Sequence, residues 1–76
     1  MLLNYFNKVM TMKNNLDELI NKSGLKKGFL ASKLDVTPQQ FSKWLKGEHY
    51  PPANKLFKLA YILNCKVDEL YTYEEE

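Results

Sequence analysis

The sequence predicts an all-α fold, a compact bundle of five short helices. Three observations carry that expectation. Apolar residues recur three and four positions apart in several short stretches. Each stretch is bounded by a start such as Thr37-Pro38 or a stop such as Gly24, Gly47 or Asn64. No run alternates with the two-residue period of a strand, so no strand is expected. At 76 residues, with 45% apolar and 26% charged, the chain suits one globular domain. A chain of this size buries only about 60–65% of the surface its unfolded form exposes, enough for one core but not for a deep substrate cavity as well.

Residues 1–13, MLLNYFNKVMTMK, stand apart as an arm with three Met, two aromatics and no acidic group, and their periodicity assigns no element. Helical signals begin at Asn14. Asn15 followed by Glu18 matches an N-cap with its reciprocal acceptor, and Leu16, Leu19 and Ile20 form the apolar stripe behind it. Ser23-Gly24 ends this first helix, because glycine turns left-handed without a steric penalty. A second helix spans about 27–34, with Leu30, Ala31 and Leu34 on its inner face, and Asp35 falls where the chain needs a positive φ.

The third helix has the strongest start. Thr37 caps it, Pro38 takes the first helical position, and Gln40 stands where it would close a capping box. Phe41 and Trp44 face inward and Gly47 stops it, before a loop in which Pro51-Pro52 forbids continuation. A fourth helix at about 53–63 carries Leu56, Leu59, Ala60 and Leu63 on one stripe. A short fifth at about 67–71 places Asp68 and Glu69 in its first turn, where the helix dipole favours them. The domain is therefore expected to run over 14–71, followed by an acidic tail at 72–76.

No apolar run approaches the roughly 18–20 residues that span a bilayer. The start MLLNYFNKVM lacks a small-residue cleavage site and is not read as a secretory signal. A single cysteine, Cys65, rules out an internal disulfide and fits a reducing compartment, so a cytoplasmic protein is expected. The net charge of +2 hides an asymmetry: residues 14–64 carry eight Lys and four acidic residues, whereas 65–76 carry one Lys and five. A basic body with an acidic tail points to a polyanionic partner. All eleven cations are Lys, which leaves no arginine to read a narrow minor groove.

Chemistry at an active site finds no constellation. His49 lies beside Glu48 in a proline-rich loop with no nucleophile nearby in sequence. Cys65 and His49 fall short of the four ligands of structural zinc, and there is no glycine-rich phosphate loop. No enzyme, metal or cofactor is expected.

Two short helices joined by a tight turn have a different use. The first braces the second so that the second protrudes, and a major groove about 12 Å wide admits one such helix. Leu30, Ala31, Leu34, Val36, Phe41 and Trp44 would lock the pair, while Gln39, Gln40 and Lys43 stay outside. Residues 14–71 resemble the lambda-repressor-like (Cro/cI, or Xre) helix-turn-helix family. The resemblance is carried by Leu16, Ile20, Gly24-Leu25, Leu30-Ala31, Leu34, Val36, Phe41-Ser42-Lys43-Trp44, Gly47, Pro52, Leu56, Leu59-Ala60, Leu63 and Val67-Asp68-Glu69-Leu70. It implies the five-helix lambda-repressor-like bundle with its helix-turn-helix at about 27–46. The chain departs from the family where Lys26 and Lys66 replace capping residues, so the second and fifth helices are expected to start less firmly. Asp35 replaces the usual turn glycine, and Gly28 and Phe29 stand where Glu or Gln is common.

The resemblance implies a sequence-specific regulator of transcription, of phage-repressor or bacterial-repressor type. It would bind an inverted-repeat operator in double-stranded DNA as a homodimer. Gln39 can pair bidentately with adenine, against the plain alternative of an exposed helix former. Gln40 either reads a base or closes the capping box, and Thr37 either touches a base or only caps. Lys43, about one turn beyond Gln39, can reach guanine or a phosphate. Lys27, Lys46, His49 and Tyr50 are the candidates for phosphate contact. Phe29, Tyr61, Tyr5 and Phe6 exceed what one small core needs and are candidates for a dimer contact or for burying the arm. Two other readings remain. One is a protein-interaction module, such as an antitoxin, holding a partner through the arm or the YTYEEE tail. The other is a non-specific nucleoid binder, which the modest charge excess disfavours.

Overall fold

A computed structural model of the chain describes residues 11–74. The elements run β1 (Thr11–Asn14), α1 (Leu16–Ser23), α2 (Lys27–Lys33), α3 (Pro38–Lys46), α4 (Ala53–Leu63), α5 (Val67–Leu70) and β2 (Tyr71–Glu74). The five helices stand where the pattern of stops and starts placed them. Gly24, Asp35, Gly47 and Asn64 all take positive φ, of 76°, 58°, 82° and 58°. Asp35 and Asn64 do so at the two turns where the sequence offers no glycine. The core is one cluster in which Leu16, Ile20, Leu30, Ala31, Leu34, Phe41, Trp44, Leu59, Ala60, Leu70 and Tyr71 are buried.

The expectation of a purely helical chain is corrected. β1 and β2 form an antiparallel ribbon in the register Thr11 with Glu74, Met12 with Tyr73, Lys13 with Thr72 and Asn14 with Tyr71. The ribbon draws in residues set apart as arm and tail. Its cause is local at β2 and tertiary at β1. Tyr71-Thr72-Tyr73 are strong strand formers, and Leu70, fully buried, fixes the point from which the chain extends. An isolated two-stranded ribbon is marginal in water and needs an apolar face against something. Here Tyr71 supplies it, 8% exposed and packed into the helical core.

Two cap expectations are also corrected. Asn15 occupies the N-cap position of α1 but its side chain makes no capping bond. Its amide instead donates to the Glu69 carbonyl at 3.1 Å and to Thr72 Oγ1 at 2.8 Å, tying α1 to α5 and β2. Asn14 does the capping. Its Oδ1 accepts from the Leu16 N–H at 2.9 Å while its Nδ2 donates to the Trp44 carbonyl at 2.9 Å. One side chain thus satisfies an orphan donor of α1 and an orphan acceptor near the end of α3. The fifth helix starts more firmly than Lys66 suggests, because Glu69 Oε2 accepts from the Lys66 N–H at 2.9 Å.

Candidate nucleic-acid interface

The α2–α3 turn is held from inside by backbone bonds. Asp35 N–H donates to the Ser32 carbonyl at 3.1 Å and Val36 N–H to the Ala31 carbonyl at 3.0 Å. Ala31, 1% exposed, has only a methyl group where the two helices converge. Thr37 Oγ1 then accepts from the Gln40 N–H at 3.1 Å, with Pro38 in the first turn. Only this half of the predicted capping box forms; the Gln40 side chain stays exposed.

Opposite faces of α3 do opposite things. Phe41 and Trp44 are buried and meet edge to face, ring centroids 5.9 Å apart. Thr37, Pro38, Gln39, Gln40, Lys43 and Lys46 are exposed. At the C-terminal end the Lys43 carbonyl accepts from Glu48 N–H at 2.9 Å and from His49 N–H at 3.3 Å. That folds the following loop back beside the helix.

Five of the eight predicted contact residues consequently line one shallow hollow: Thr37, Gln39, Gln40, Lys43 and His49. A second hollow, on the other side of Lys43, adds Lys46 and an acid that sequence reasoning passed over, Glu48. Residues 26–47 carry five Lys and one acidic residue, so this surface is positive. Tyr50 is not brought to the hollow. Its ring packs against Tyr71 with centroids 5.5 Å apart.

Lys27 is also differently placed from its expected role. Its Nζ lies 3.2 Å from Asp17 Oδ1, and both side chains are more than half exposed, at 53% and 58%. Asp17 sits in the first turn of α1, where the helix dipole welcomes an anion. No sequence signal joins it to a lysine ten positions on. Both residues border a hollow that also reaches Pro38, Phe41 and Lys46.

Among the described residues no helix is long and apolar enough to cross a membrane. The two displaced ionisations lie away from α3. Burial, and then the neighbouring Tyr50, pushes the Tyr71 phenol up to about 12. Burial, and then Glu69, raises the Cys65 thiol.

Comparison with known proteins points one way. A family model described as the Cro/C1-type HTH DNA-binding domain matches residues 15–76. Eight chains of solved structure match. One is a transcriptional regulator from Listeria innocua, 34% identical, with a TM-score of 0.71 over 82% of this chain and 58% of its own. The present chain therefore spans a little over half of that regulator's length. No curated protein sequence matches it.

Proposed function

The chain belongs to the Cro/C1-type helix-turn-helix DNA-binding family, and from that premise we propose that it is a sequence-specific regulator of transcription acting on double-stranded DNA. One observation carries the reading. Gln39, Gln40, Lys43, Thr37 and His49 share one exposed hollow on a helix whose opposite face is locked by Phe41 and Trp44.

Inserted in the major groove, α3 brings the Gln39 amide to an adenine edge, accepting from N6 and donating to N7. The exposed Gln40 amide is a second base reader, and Thr37 holds the N-terminus in which both sit. Lys43 reaches guanine or a neighbouring phosphate. Lys46, His49 and, across the hollow, Lys27 neutralise the backbone on either side and set register without reading sequence. Two copies on an inverted repeat place their helices about 34 Å apart, one turn of duplex. Repression follows from occupying the site that polymerase needs, with no enzymatic step, in the cytoplasm where the DNA is.

The test is selection of bound duplexes from a random pool at physiological salt. An enriched palindrome supports the reading, and equal recovery of all sequences refutes it. Gln39→Ala is expected to cost about 1–3 kcal/mol at one base position, with helical circular dichroism unchanged. A chain that acts only by binding another protein would be indifferent to that change.

A further inference from the structure

The face formed by α4, α5 and the ribbon is built for a partner rather than for water. The exposed large apolar side chains Met12, Tyr50, Phe57, Tyr61 and Tyr73 surround the buried Tyr71. Phe57 and Tyr61 lie one turn apart on α4 and border an apolar groove with Met12, Leu56, Val67 and Tyr71. Met12 is paired with Tyr73 across the ribbon, and Tyr50 packs on Tyr71, so both extend the same face. Tyr61 is 84% exposed and Phe57 63%.

From this face we infer that a second copy of the chain docks in the groove between α4, α5 and the ribbon. Two arguments choose that occupant. The first is charge. The groove's rim carries one cation and one anion, Lys66 and Asp68, both exposed. In a two-fold contact each meets its opposite on the other copy, because an isologous interface pairs a patch with itself. A uniformly acidic or basic partner finds no matching field there. The second is area. At about 200 Å² for a large aromatic side chain, the exposed parts of these five residues amount to roughly 600 Å². With the flanking backbone and rim that approaches the roughly 800 Å² per partner of a standard stable interface. Aromatic residues and Met at the centre with charges at the edge are also the usual composition of such a contact.

The groove shares no residue with the hollows around Lys43, so docking leaves both copies of α3 uncovered. The inference goes beyond the DNA reading and is measured without DNA, so the two can fail separately.

The experiment is sedimentation equilibrium of the full chain from nanomolar to high micromolar concentration. It is accompanied by the rate at which a bulky maleimide modifies Cys65, the one cysteine, which lines the groove. The full chain is expected to form dimers, with Cys65 modification slowing as dimer forms. Tyr61→Glu and, independently, Phe57→Glu are expected to raise the dimer dissociation constant at least tenfold while keeping native helical content. Both positions are exposed enough to tolerate the charge. A chain that stays monomeric throughout overturns the inference. So does a dimer indifferent to both substitutions, or Cys65 protection that is the same at every concentration, as cover by the chain's own arm would give.

Discussion

Replacing Asp17 by Asn isolates the electrostatic part of the proposed interface. In the free protein Lys27 is already paired, its Nζ 3.2 Å from Asp17 Oδ1. An exposed pair of this kind holds by about 0.2–1 kcal/mol. For Lys27 to reach a phosphate it must leave Asp17, exchanging one anion for another, so that contact releases almost no counterion. Asp17→Asn frees the lysine beforehand. At low salt the affinity for an operator duplex is then expected to rise about 1.4- to 5-fold, the full worth of the lost pair. The salt dependence changes as well. One added phosphate contact steepens the slope of log K against log salt by about 0.9, an extra loss of about three- to fourfold between 50 and 200 mM. Fluorescence anisotropy of a labelled duplex over a salt series reads both effects. Thermal melting separates them from the small destabilisation expected of removing an acid from the first turn of α1. An unchanged slope refutes the reasoning. So does a Lys27→Ala change that costs the Asp17→Asn protein no more affinity than it costs the parent.

Two further expectations concern stability. Asn14→Ala removes both the Leu16 cap and the bond to the Trp44 carbonyl, and is expected to cost about 1–3 kcal/mol in urea unfolding. A loss within about 0.3 kcal/mol would mean water replaces both bonds. Tyr71 has its phenol raised from 10.0 to about 12, by burial first and Tyr50 second. Between those values the unfolded chain gives up a proton that the folded chain keeps. The stability Tyr71 contributes is therefore whole below pH 10 and lost on the way to about 12, a fall of about 2–3 kcal/mol. Tyr71→Phe should abolish that fall. Since the hydroxyl is buried without a hydrogen-bond partner, the change should be neutral or stabilising at neutral pH. An alkaline fall that persists in Tyr71→Phe would assign it to other groups.

Helix ends were legible because their signals are local. Thr37-Pro38, Gly24, Gly47 and Asn64 each act on the next turn of backbone, and the outward set Gln39, Gln40 and Lys43 follows once α3 is in phase. The ribbon was not legible, although Tyr71-Thr72-Tyr73 carries strand propensity. Each strand has four residues, the partners lie at opposite ends of the domain, and no hairpin turn joins them. The same distance explains the misplaced cap. Asn15 has the right identity at the right spacing, but its amide is taken by Glu69 and Thr72, more than fifty residues away. At the candidate site, Lys27 and Tyr50 were given roles from their position in the motif. Their actual neighbours, Asp17 and Tyr71, come from α1 and β2, which no local pattern connects to them.

The ribbon also decides how the domain responds to load. Thr11 and Glu74 face each other at the open end of the ladder, so tension applied through both ends of the chain pulls one rung at a time. It does not slide the strands past each other against every bond at once. Such a clasp yields to small forces, and the Asn14 and Asn15 side-chain bonds are the next to bear the strain. Anything attached ahead of residue 11 and anything attached behind residue 74 also departs from the same tip of the molecule.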